Sequence, residues 1–106
     1  DRQIGRALSL LHAAPGAGWT LERLAKETGM SRTSLSDRFV HFVGRPPMQY
    51  LTLWRMQLAS EMLSAGACSM AQIAARIGYE SEAAFSRAFK RTVGTAPAQW
   101  RALRAA

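Results

Sequence analysis

The sequence is poor in the residues that build metal sites and disulfides. Cys68 is its one cysteine, and its two histidines, His12 and His41, stand far apart with no cysteine near either. That set supplies neither a disulfide framework nor a zinc-ligand spacing. Cys68 also has no basic neighbour in sequence to favour a thiolate. Paired carboxylates at working spacing, a Cys–His or Ser–His constellation and a glycine-rich phosphate loop are all missing, so no catalytic role, metal or cofactor is expected. No apolar run approaches the ~20 residues of a membrane span, and no signal-peptide pattern opens the chain. Runs of β-branched residues are scarce, which leaves no convincing strand. A lone cysteine suits a reducing cytoplasm. Because the chain opens on Asp1 and not on Met, a larger parent protein is expected.

Acidic residues are scarce as well. Seven Asp and Glu face fourteen Lys and Arg over 106 residues, a net charge of +7. Such an excess on a small body favours a polyanionic partner, nucleic acid or an anionic membrane surface, unless it serves only solubility. After Glu82 the chain carries Arg87, Lys90, Arg91, Arg101 and Arg104 with no acidic residue.

What is abundant is apolar sequence at helical spacing, enough to bury a core. Ile4, Leu8 and Leu11 form a first stripe, ended by Pro15-Gly16. Thr20 caps a short helix with Leu21, Leu24 and Ala25 inward and Gly29 past its end. Ser31 caps the next, whose buried side is read as Leu35, Phe39 and Phe42, closing at Gly44. Pro46-Pro47 opens a helix that runs unbroken to about Ser64, roughly 27 Å at ~1.5 Å per residue. Its expected stripe is Tyr50, Leu51, Trp54, Leu58 and Leu63. Ser69 and Gln72 have the capping-box spacing, with Met70, Ile73, Ala74 and Ile77 inward before Gly78. Ser81 caps another helix around Phe85 and Phe89, ending near Gly94. Pro97 opens a last one with Trp100 and Leu103 inside. The expectation is an all-α chain of about seven helices.

The chain also contains itself twice. Leu21, Leu24, Ala25 and Gly29 match Met70, Ile73, Ala74 and Gly78, 49 residues on. Ser31, Leu35, Phe39, Val43 and Gly44 match Ser81, Phe85, Phe89, Val93 and Gly94, 50 residues on, and Pro47 and Tyr50 continue the match to Pro97 and Trp100. The extra residue of the second copy falls in the turn, where Tyr79-Glu80 stands against Met30. Each copy reads as a helix-turn-helix: a small Ala for close approach, a Gly for a left-handed turn, and a Ser that caps the second helix. A capped N-terminus also offers backbone N–H groups to a phosphate.

These residues resemble the C-terminal DNA-binding domain of the AraC/XylS family of bacterial transcription regulators. The resemblance covers nearly the whole chain. It is densest in Ile73-Ala74 through Gly78-Tyr79, Ser81, Phe85-Ser86-Arg87-Ala88-Phe89-Lys90 and Gly94 through Pro97. The first copy matches through Leu24-Ala25, Gly29-Met30-Ser31, Leu35, Phe39, Gly44 and Pro47. It implies two helix-turn-helix subdomains, residues 1–46 and 66–106, joined by a linker helix over 47–65. It further implies sequence-specific binding of double-stranded DNA, with the second helix of each unit in the major groove. In the full-length regulator, RNA polymerase and an effector or dimerisation domain before Asp1 would complete the machinery. No membrane partner is implied.

Successive major-groove segments on one face of DNA lie ~34 Å apart, and two different reading helices imply an asymmetric site. Base-reading candidates are Arg32, Thr33, Ser36 and Asp37 in the first reading helix and Glu82, Ala83, Ser86 and Arg87 in the second. Arg32 suits guanine and Thr33 a thymine methyl, while Asp37 either accepts from a cytosine amino group or is a solvated carboxylate paired with Arg38 or a neighbour. The family commonly carries arginine where Asp37 stands. Arg87 matches a family arginine and is the leading candidate for base contact, against a phosphate contact or an internal ion pair. Glu82 reads cytosine or simply complements the helix dipole. Phosphate-contact candidates are Ser31, Ser34, Arg38, Arg45, Ser81, Lys90 and Arg91, followed by Arg101 and Arg104. Arg55 and Arg76 suit internal or rim ion pairs, the large aromatics suit the core, and His41 suits the surface. The rival reading is a helical protein-interaction module.

Overall fold

The computed structural model describes residues 1–105; residue 106, the last of the expected second subdomain, lies outside them. Among the described residues seven helices follow one another: α1 (Arg2–Ala13), α2 (Leu21–Thr28), α3 (Arg32–Val43), α4 (Pro47–Ala65), α5 (Met70–Arg76), α6 (Glu82–Val93) and α7 (Pro97–Ala105). Among the described residues there is no strand. The starts are set by short polar side chains that accept otherwise unpaired backbone N–H groups. Thr20, Ser31 and Ser81 accept from the N–H three residues on, and Ser69 and Gln72 complete a reciprocal capping box. Asp1 does the same for α1, accepting from Gln3 and Ile4.

The chain packs as two units, Asp1–Thr52 and the residues from Leu53 onward. In the first, Ile4, Ala7 and Leu11 of α1 bury against Trp19, Leu24, Ala25, Leu35, Phe39 and Leu51. In the second, Met56, Ala59 and Leu63 bury against Ile73, Ala74, Ile77, Phe85, Ala88 and Phe89. Helix α4 is therefore divided between two cores, giving Leu51 to one and Met56, Ala59 and Leu63 to the other. That is why no single stripe describes it: Tyr50, Trp54 and Leu58 of the expected stripe are half-buried, while Met56 and Ala59 are buried.

The division extends the internal repeat. Ile4, Ala7 and Leu11 correspond to Met56, Ala59 and Leu63, 52 residues on, and Ala7 and Ala59 are both wholly buried. The larger spacing is taken up by the connections, residues 14–20 in the first unit and the shorter 66–69 in the second. The longer connection brings Trp19 into the first core, its indole N–H donating to Ala14 O at 2.8 Å.

Two expected core residues lie outside. Phe42 is 56% exposed because the inward row of α3 runs by fours through Leu35, Phe39 and Val43. Leu103 is 70% exposed because α7 turns Pro97, Trp100 and Arg101 inward instead.

Candidate nucleic-acid interface

The two turns are built alike. Gly29 at φ 69° and Gly78 at φ 97° take the left-handed conformation that glycine adopts without penalty. Met30 N donates to Ala25 O and Tyr79 N to Ala74 O, both at 2.9 Å. Gly29 N and Gly78 N reach Lys26 O and Ala75 O at 3.2 and 3.3 Å. This pair of bonds satisfies the carbonyls at a helix end and turns the chain sharply into the next helix. The serine that follows caps that helix. Ser31 Oγ accepts from Ser34 N, and Ser81 Oγ accepts from Ala84 N, both at 3.0 Å.

Burying Leu35 and Phe39, or Phe85 and Phe89, fixes which face of α3 and of α6 is left to solvent. On α3 that face carries exposed Arg32, Thr33 and Asp37 with half-buried Ser36, and these four line one shallow depression with Leu21. On α6 the corresponding positions carry exposed Glu82, Ala83 and Arg87 with half-buried Ser86. The structure thus brings together each group of four base-reading candidates.

Their partners differ. Arg32 Nη1 donates to Glu22 Oε1 at 3.1 Å. Asp37 is exposed, and Arg38 does not pair with it. Arg87 forms no ion pair among the described residues, and Glu82 occupies the first turn of α6. Aligned with the basic end of α6, Lys90 and Arg91 are exposed, as is Arg45 after α3.

Several cations expected at phosphates are engaged within the protein. Arg38 reaches back to the start of α1, where its guanidinium binds Asp1 and donates to Gln3 Oε1 at 2.9 Å. Arg101 donates to Leu63 O and Cys68 O at 3.3 and 3.0 Å, satisfying carbonyls at and beyond the end of α4. Arg104 lies over the Trp100 ring at 4.9 Å. Arg76 donates to Cys68 Sγ at 3.1 Å, so this thiol has a basic neighbour in space that it lacks in the adjoining sequence. Arg55 sits over the Tyr79 ring at 5.8 Å. Burial lowers the pKa of Arg55, an effect partly offset by Tyr79. Burial raises that of Tyr79, with Arg55 and Arg91 pulling it back.

Sequence reasoning missed Glu22, Asp1 and Gln3 as partners. Asp1 had a readable signal, an acidic residue directly before an apolar helical stripe. Its contact with Arg38 spans 37 residues and had none.

A family profile described as a helix-turn-helix domain matches residues 24–103. A Streptomyces lividans protein named as an AraC-like transcription regulator is 43% identical over 101 residues, covering 95% of this chain and 33% of that protein. The transcriptional regulator AlkR of Acinetobacter baylyi is 38% identical over 99 residues, covering 93% and 32%. The chain thus spans about a third of the length of the curated relatives it matches. Among solved structures, the C-terminal domain of AraT, a response regulator from Geobacillus stearothermophilus, superimposes with a TM-score of 0.92 at 30% identity. That match covers 97% of this chain and 86% of that one. The DNA-binding domain of AdpA, solved with a target DNA, gives 0.89 at 28% identity, covering 95% and 91%. With two serine-capped helix-turn-helix turns and relatives matched over nearly its full length, the chain belongs to the AraC/XylS family of helix-turn-helix transcription regulators.

Proposed function

We propose that the chain is a sequence-specific binder of double-stranded DNA, acting in recognition and not in catalysis, within a larger cytoplasmic transcription regulator. The observation that carries this reading is the duplicated turn. Each copy presents a serine-capped helix whose exposed face bears hydrogen-bonding side chains, in a chain of net charge +7. Helices α3 and α6 enter successive major-groove segments, and their unlike faces make the site asymmetric. Arg32, Thr33, Ser36 and Asp37 read one half; Glu82, Ala83, Ser86 and Arg87 read the other. Ser31, Ser34, Arg45, Ser81, Lys90 and Arg91 contact the backbone and supply affinity more than specificity. In the parent regulator an effector or dimerisation domain and RNA polymerase complete the function.

Selection of bound duplexes from a random library, followed by affinity measurements across salt, tests the reading. Log affinity should fall linearly with log salt at ~0.9 per neutralised phosphate. An enriched consensus with that salt slope supports it. Salt-insensitive association, or no binding to any duplex, overturns it.

A further inference from the structure

One cation on α3 is engaged by partners within the protein. Arg38 stands in the middle of α3, and its side chain turns to the N-terminus of α1. There its Nε donates to Asp1 Oδ2 at 2.9 Å and its Nη2 binds the same oxygen. Its Nη1 donates to Gln3 Oε1 at 2.9 Å. Both acceptors are themselves fixed. Asp1 Oδ1 caps α1, accepting from Gln3 N at 2.9 Å and Ile4 N at 3.2 Å. The amide of Gln3 donates to Thr28 O at 3.1 Å and Gly29 O at 3.4 Å, at the end of α2 and in the turn itself. A single guanidinium therefore links α3 to the start of α1 and, through Gln3, to the turn that aims α3. The Asp1 side chain is 12% exposed, so this ion pair is screened less than the Arg32–Glu22 pair at the surface.

In the second unit the position matching Arg38 holds an alanine, which has no charge to offer. There Ala88 is buried in the core, and the residue matching Gln3 is Arg55, which lies over Tyr79 of the second turn. Both units thus reach their turn from the first helix, and in the first Arg38 adds a charged tie to α3.

We propose that Arg38 is a positioning residue for DNA recognition: through Asp1 and Gln3 it sets the angle of α3, and so the aim of Arg32, Thr33, Ser36 and Asp37, without itself contacting phosphate. The inference rests on the duplex-binding reading above. A planar guanidinium fork can hold two acceptors at fixed directions, whereas an ammonium cannot, so the two roles respond differently to lysine.

The test uses the 106-residue chain, a duplex selected by the wild-type protein and a scrambled duplex, with binding measured across salt well below each variant's melting temperature. Arg38→Lys, Arg38→Gln, Asp1→Asn and the Asp1→Asn/Arg38→Gln pair are compared. Each single variant should lose about tenfold or more for the selected duplex, the loss of charge-assisted hydrogen bonds read through positioning. Binding to the scrambled duplex and the salt slope should stay at wild-type values. The double variant should be no worse than Arg38→Gln alone, because both changes break one contact. The proposal is overturned if Arg38→Lys binds like wild type, or if Arg38→Gln lowers the salt slope by about 0.9 and weakens both duplexes alike, the signature of a phosphate contact. It is equally overturned if all variants keep wild-type selectivity and lose only thermal stability. Failure of the wild-type chain to bind any duplex would instead sink the underlying reading, and is seen before any variant is made.

Discussion

Glu22 Oε1 holds Arg32 Nη1 at 3.1 Å, joining the first turn of α2 to the first residue of α3 beside the depression that Thr33, Ser36 and Asp37 line. Both side chains are mostly exposed, at 76% and 64%. In water such a pair contributes ~0–1 kcal/mol to stability, too little to hold the fold. Its consequence is electrostatic: a carboxylate stands beside a cation that a nucleic acid would also attract. Glu22→Gln should therefore leave the melting temperature within a few degrees and raise affinity for duplex DNA severalfold at low salt. The gain should fade as screening increases. An unchanged affinity at low salt would show that Arg32 stays away from the duplex.

Arg87 and Lys90 lie on one helix and are both exposed, yet they are assigned different work. Arg87→Ala should relax preference at one base position, at a cost of ~1–3 kcal/mol for the preferred site. Lys90→Ala should weaken all duplexes alike and reduce the salt slope by about 1. Repeating duplex selection with each variant distinguishes the two; equal, sequence-blind losses would remove the base-reading role of Arg87.

Gly29 has room for a methyl group, since the nearest atom to an added Cβ is Gln3 Nε2 at 3.9 Å. The obstacle is the backbone, at φ 69°. Gly29→Ala should cost about 1–2 kcal/mol of stability, the penalty of a left-handed L-residue, and denaturant unfolding measures it directly. Crowding is not the cause, so a loss well beyond that range would count against this account.

Ala59 presents the opposite case. It is wholly buried between the second half of α4 and the helices of its unit, as Ala7 is in the first. Ala59→Leu should destabilise by about 1–3 kcal/mol through overpacking, because the added methylenes meet a filled core. The melting temperature reports it. A neutral result would mean that the helix seam is looser than the burial of Ala59 indicates.

Tyr79 should contribute to a loss of stability at alkaline pH. Burial raises its pKa above the ordinary value of about 10, although Arg55 and Arg91 oppose the shift. The folded chain then keeps its phenolic proton at pH values where the unfolded chain has lost it. The associated stability is complete below pH ~10 and declines as pH rises through the folded-state value. Tyr79→Phe should flatten that part of the decline while leaving neutral-pH stability little changed. Unfolding midpoints measured from pH 8 to 11 check the difference.

How much of this was legible in the sequence can be judged residue by residue. The seven helices, the serine caps at Ser31, Ser69 and Ser81 and the glycine turns at Gly29 and Gly78 were all readable. Each depends on residues within a few positions of one another. The repeat was readable from Leu21 onward, and it placed both groups of exposed candidates on their helices. The earlier part of the repeat was not, because the correspondence of Ile4, Ala7 and Leu11 with Met56, Ala59 and Leu63 is offset by connections of unequal length.

Side-chain partnership across long sequence separations was decided only by tertiary structure. Arg38, read as a cation for phosphate, meets Asp1, and Arg101 meets the carbonyls of Leu63 and Cys68. Composition counts all of these arginines equally, but a guanidinium bound to an internal acceptor is no longer equivalent to an exposed one such as Arg87. Thus the sequence by itself determined the double helix-turn-helix and its basic character, since caps, turns and apolar spacing are local. Packing decided which of its cations remain available to a polyanion, because only the fold brings a distant carboxylate or carbonyl within reach of an arginine.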